Sequence, residues 1–146
     1  MYCSLGSWWI SSGFVRCLVV KPRALVYVQA VNKIDHIGIA VNSLAEAVPA
    51  FAALLEMNVS GEEEVPSEGV RVAFFGEGSG RIELLEATGP GSPVARFLAR
   101  RGQGVHHVCL AVADVEAAVA RAEAEGLEIL PPRIREGAAG HRVAFI

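Results

Sequence analysis

The stretch HIGIAVNSLAEAV at residues 36–48 recurs as HVCLAVADVEAAV at residues 107–119. The shift of 71 positions sets His36 on His107, Ala40 on Ala111, Val41 on Val112, Ala47 on Ala118 and Val48 on Val119. At the same shift GVRVAFF from Gly69 falls on GHRVAFI from Gly140. Two blocks that match at one offset describe a duplicated unit, and a repeat of this kind decides the architecture before any single element is read.

Within the unit, DHIGIAV alternates and is rich in branched residues, which predicts a strand. Ser43 stands three places before Glu46, the capping-box pattern, and predicts a helix over 44–56. In the second unit Asp114 takes the cap position, the helix runs to Glu125, and Gly126 suits a left-handed stop. Three strands follow in the first unit, in MNVSGEEEV, VRVAFFG and RIELLEA. In the second, LEILPPRI and RVAFI match the first two, and the same shift from Glu83 leads past Ile146. The expected architecture is therefore α+β, with two tandem βαβββ modules at 33–88 and 104–146 and the second ending before its last strand. RVAFI is then expected at or near a sheet edge. Ser92 followed by Pro93, and Gly102 behind VARFLARR, predict a linker helix over 92–102. Its Arg96, Arg100 and Arg101 read as a solvated face before they read as a phosphate site.

Charge separates this domain from what precedes it. Up to Ile34 the charged residues are Arg16, Lys21, Arg23 and Lys33, with no acid before Asp35; the remainder holds 9 Arg, no Lys and all 16 acids. The domain is placed at 32–146, and 1–31 is an N-terminal extension, either a mitochondrial-type targeting stretch or residues upstream of the true start, with little ordered structure expected before Val31. Its apolar runs are broken by Arg16, Lys21 and Arg23 well short of the roughly 20 residues of a spanning helix. The overall charge of -3 gives no basis for nucleic acid or a membrane surface as partner and leaves a small molecule. Cys3, Cys17 and Cys109 are odd in number and lack zinc or redox spacing, which fits a reducing, cytoplasmic compartment, with Cys109 read as a buried small residue.

Alternate side chains of a strand share a face. His36 and His107 therefore hold equivalent places in two modules and can converge on the axis between them, where imidazole serves as a nitrogen ligand for a divalent metal. Strict alternation turns His106 to the other face and excludes it as a ligand; His141 reads as surface or loop. Glu83, between Ile82 and Leu84, is a carboxylate in an apolar strand. It is either coordinated or paired, or else it faces water on a one-sided sheet. Glu86 falls on the opposite face and reads as surface.

KIDHIGIAVNSLAEAV, the run from EEEVPSEGVRVAFF through GSPVARFLARRGQGVHHVCLAV, and REGAAGHRVAF together resemble the methylmalonyl-CoA epimerases of the glyoxalase and extradiol-dioxygenase superfamily. GSPVARFLARRGQGVHH is the most specific part. The resemblance covers residues 33–146. It implies the vicinal oxygen chelate fold, with paired modules around a divalent metal held by His36, Glu83, His107 and a further Glu that falls past Ile146. It also implies an isomerase that interconverts the R and S forms of methylmalonyl-CoA by removing the proton alpha to the thioester, with Glu83 as a catalytic carboxylate. Cobalt, manganese or zinc would serve as the metal, an acyl-CoA as the substrate and a homodimer as the assembly. The alternatives within the superfamily are a glyoxalase I-like lyase, an extradiol dioxygenase and a metal-free binding module.

Overall fold

The computed structural model describes residues 33–146 in full and residues 15–20 as backbone. Strand β1 (Val15–Val20) is followed by β2 (Lys33–Ala40), helix α1 (Leu44–Leu55), β3 (Val59–Val65), β4 (Val70–Phe75) and β5 (Arg81–Ala87). Helix α2 (Pro93–Arg101) leads to β6 (Gly104–Val112), α3 (Val115–Ala124), the short β7 (Arg135–Glu136) and β8 (Arg142–Phe145). The strands form one sheet in the order β3-β4-β5-β2-β6-β1-β8-β7, so β2 and β6, the first strands of the two modules, lie antiparallel at its centre.

The helix boundaries follow from local chemistry. Ser43 Oγ accepts from the Glu46 N–H, and a second acceptor, Glu86 Oε2, takes the Leu44 N–H at 2.7 Å while its other oxygen meets Arg71. Glu86 is thus a cap for α1 reaching over from β5. Burial raises its pKa, but the Leu44 N–H and Arg71 outweigh that and leave it lowered. Asp114 Oδ1 accepts from the Ala117 N–H to start α3, and Ser92 Oγ accepts from the Val94 N–H to start α2, with Pro93 at its first position.

Alternation along the strands sorts side chains onto two faces. Ala73, Phe75 and Leu84 pack with Val41 and Leu44 under α1, and Ala144 packs with Val115, Ala118 and Val119 under α3. Val72, Phe74, Leu85 and Val143 line a cavity on the opposite face. Both large helices therefore cover one side of the sheet and leave the other free to build a site.

Three expectations need correction. LEILPPRI makes no regular strand: Pro131 and Pro132 have no N–H to give to a ladder, and pairing resumes at Arg135 after a single backbone bond from the Leu130 N–H to Phe145 O. RVAFI is not at an edge, since β8 lies between β1 and β7. The reason is the third correction. Most of the extension, residues 1–14 and 21–31, lies outside the described residues, but Val15–Val20 forms a strand parallel to β6 and antiparallel to β8. VRCLVV is rich in branched residues and suits a strand. Its pairing repeats that of β5 with β2 and β4: Glu83 stands opposite Gly38 and Phe74, and Cys17 stands opposite Cys109 and Phe145, each 71 positions on. An N-terminal strand thus occupies the place in the second module that β5 holds in the first.

Candidate metal centre

The two central strands depart from regular pairing at two places. Ile34 faces Leu110 while His36 faces Cys109, leaving Asp35 as an extra residue; Gly38 faces His107 while Ile39 faces Val105, leaving His106 as an extra residue. These are β-bulges, which bend a strand and re-aim side chains. They lie at equivalent positions of the repeat, each immediately before one of the paired histidines.

The bulges correct the reading of His106. Its side chain is not sent to the far face but lines the cavity, with Nδ1 3.0 Å from His107 Nδ1 and its ring edge-on to Phe97. It stays outside the cluster of candidate ligands, as expected. Burial and the neighbouring His107 lower its pKa to about 4, against the opposing pull of Glu83, so it is neutral near pH 7.

His36, Glu83 and His107 meet on the cavity wall. The two Nε2 atoms are 3.0 Å apart, each is 3.3 Å from Glu83 Oε2, and all three residues are buried. Burial raises the Glu83 pKa, but hydrogen bonds to His107 and His36, together with their charges, outweigh it and hold the carboxyl at about 2. The close approach depends on Gly38: a Cβ there would lie 2.3 Å from His107 Cε1. His107 lies over a bare stretch of backbone that no other residue type would leave open.

Two imidazole nitrogens and a carboxylate oxygen, sharing one small volume away from water, form a donor set suited to a divalent cation. With Nδ1 of each ring engaged by the preceding residue, each Nε2 is turned to the shared point. The residues fit a metal.

The cavity holds about 170 Å³ and is walled chiefly by apolar side chains, among them Val65, Val70, Leu85 and Val94. Glu68, which the sequence reading missed, is a further carboxylate on this wall. A turn after β3 places it there, closed by Val65 O accepting the Glu68 N–H and by Gly69 at φ 62. It meets Arg135 at 3.2 Å. No spacing ties Glu68 to the repeated histidines; its place in a polar turn that opens an apolar strand was the available signal. His141, read as surface or loop, follows a turn at Ala138–Gly140 and is half-buried in the cavity wall. Among the described residues no helix is long and apolar enough to cross a membrane.

A sheet built from two strand-helix-strand units, with one histidine from each central strand and a carboxylate between them, defines the class. The chain belongs to the Glyoxalase/Bleomycin resistance protein/Dioxygenase superfamily, whose pattern matches residues 35–145. Within it the resemblance is to methylmalonyl-CoA epimerases. The ethylmalonyl-CoA/methylmalonyl-CoA epimerase of Cereibacter sphaeroides is 35% identical over 120 residues, covering 80% of this chain and 88% of that one. The uncharacterized protein YqjC of Bacillus subtilis is 35% identical over 115 residues, 79% of this chain and 82% of its own. A variant of the Streptomyces coelicolor methylmalonyl-CoA epimerase in complex with 2-nitronate-propionyl-CoA superposes with a TM-score of 0.73 at 35% identity, covering 77% of this chain and 82% of that one.

Proposed function

We propose that the protein is a divalent-metal-dependent epimerase that interconverts the R and S forms of methylmalonyl-CoA. The observation that carries this reading is the convergence of His36, Glu83 and His107 on the wall of an apolar cavity, in a chain similar to epimerases that act on this substrate or bind its analogue. Mixed imidazole and carboxylate donors suit cobalt, manganese or zinc. When bound, the metal would draw charge from the substrate's thioester and carboxylate oxygens and so ease loss of the proton between them.

The chain's own residues supply the rest. His36, Glu83 and His107 hold the cation from both central strands and β5. Val72, Leu85 and Val143 exclude water from the reacting carbon, which strengthens every charge interaction near it. Glu68 removes the proton from one face of the reacting carbon, and a proton delivered to the opposite face by a second donor gives the other epimer. Asp35 is buried and engaged by His36 and Arg81, and Glu83 is buried and engaged by the two histidines, whereas Glu68 is partly exposed and meets Arg135 through one oxygen, which leaves it within a substrate's reach. Its partner Arg135 keeps the carboxylate oriented toward the cavity.

The test is a substrate panel. Purified protein loaded with cobalt is expected to interconvert the two methylmalonyl-CoA epimers, with no lyase activity on a hemithioacetal and no ring cleavage of a catechol. Turnover of either of the last two, with none of the first, would assign the chain to another branch of the superfamily.

A further inference from the structure

The two metal-facing histidines are held from behind by unlike partners. Behind His107 stands His106, a neutral imidazole. Behind His36 stands Asp35, wholly buried, whose Oδ2 lies 3.1 Å from His36 Nδ1 and accepts from Arg81 at 2.6 Å. Arg81 is the residue directly opposite His36 in the β2·β5 ladder. Its guanidinium lies 4.7 Å over the Phe74 ring, and that ring stands edge-on to His36 at 6.1 Å. Asp35 and Phe74 thus flank one imidazole, and Arg81 holds them both. The bulge that leaves Asp35 unmatched in the ladder is what turns its carboxylate to that ring.

We propose that Asp35, anchored by Arg81, is a positioning residue for the metal: it fixes the His36 tautomer with the proton on Nδ1 and presents Nε2 as the donor. This rests on the metal reading above and deepens it. A carboxylate accepting from the far nitrogen of a ligand histidine sets the orientation of the ring and raises its basicity, and loss of such a partner weakens metal affinity about 10-fold to 100-fold. The second module carries no acid at the equivalent place, since His106 stands there. The two ligand histidines are therefore unequal, and His36 is the stronger donor.

The experiment is a cobalt titration of the full chain, followed by the visible absorption of the bound ion, for wild type, Asp35→Ala and Asp35→Asn. Affinity is expected to fall about 10-fold to 100-fold in Asp35→Ala. Asp35→Asn should recover part of the loss, because its side-chain carbonyl still accepts from Nδ1–H. In zinc-loaded wild type, nitrogen-15 correlation spectra of the imidazoles are expected to show His36 protonated on Nδ1. Should Asp35→Ala not fold, the near-isosteric Asp35→Asn protein and the wild-type tautomer decide. Variants that bind cobalt as tightly as wild type, or a wild-type His36 protonated on Nε2, overturn the inference alone. A wild type that takes up no divalent metal overturns the metal reading and this inference with it.

Discussion

Much of the site rests on single residues. Gly38 is one. Placing a methyl group at this position drives it into the His107 ring, so Gly38→Ala is expected to cost about 1–3 kcal/mol through overpacking and to weaken metal binding by moving a ligand. Chemical denaturation and a metal titration would check both; an unchanged affinity would show that His107 has room to retreat. Glu68 is another. Glu68→Gln keeps the shape and removes the base, and turnover is expected to fall by about 10²- to 10⁴-fold with metal content unchanged. Wild-type turnover in that variant would move proton transfer to another group.

His106 makes a pH prediction whose sign can be worked out. An ordinary histidine titrates near 6.5, and burial holds this one at about 4 in the folded chain. The unfolded chain therefore takes up the proton first as pH falls. Stability from the neutral ring is full above pH 6.5 and is lost between 6.5 and 4, on the order of 3 kcal/mol in all. Glu83, held at about 2, stays ionised through that window. Urea unfolding of metal-free protein at pH 7.5 and 4.5 should show the drop, and His106→Gln should show less of it. Equal drops in the two proteins would assign the effect elsewhere.

At the scale of elements, the proposed metal ligands were more legible than the residues proposed to position them. His36 and His107 stood out because a repeat pairs them, and Glu83 because a carboxylate in an apolar strand needs a reason. Asp35 and His106 were hidden by the rule that exposed the others. Alternation assigns each residue to a face only while the ladder is regular, and a bulge shifts that assignment without any local mark in the sequence. The same limit applies to LEILPPRI, where similarity to the first module suggested a strand that two adjacent prolines do not allow. VRCLVV, by contrast, has strand composition, but charge and composition set it apart from the domain and concealed its role. Its backbone pairs on both sides, with β6 and with β8. Leu18→Pro, which removes a ladder donor between two strands, is expected to destabilise the protein by about 3 kcal/mol or more. Deletion of residues 1–31 should lower the thermal midpoint by several degrees. A midpoint unchanged on deletion would return the segment to the status of a dispensable extension.

At the scale of the molecule, duplication explains why the site lies where it does. Two copies of one unit join through their first strands, so the equivalent Ile37 and Val108 pair at the centre of the join with a histidine on either side, and both large helices cover the opposite side of the sheet. The cavity that remains is apolar except where the histidines, their bulge partners and the carboxylates gather. Such a surface suits a reaction in which charge develops at one carbon of a small acyl group and is stabilised by preorganised groups around it. The central claim is that this chain removes the proton alpha to the thioester and that its metal site is required. The direct measurement is exchange of that proton for deuterium, followed by proton NMR of methylmalonyl-CoA in deuterated water with the chelator-stripped protein before and after cobalt is restored. The account predicts slow exchange in the stripped protein, recovery on adding cobalt, and no recovery in His36→Ala or His107→Ala, both still folded. Exchange at the same rate with and without metal, or full recovery in either histidine variant, would contradict it.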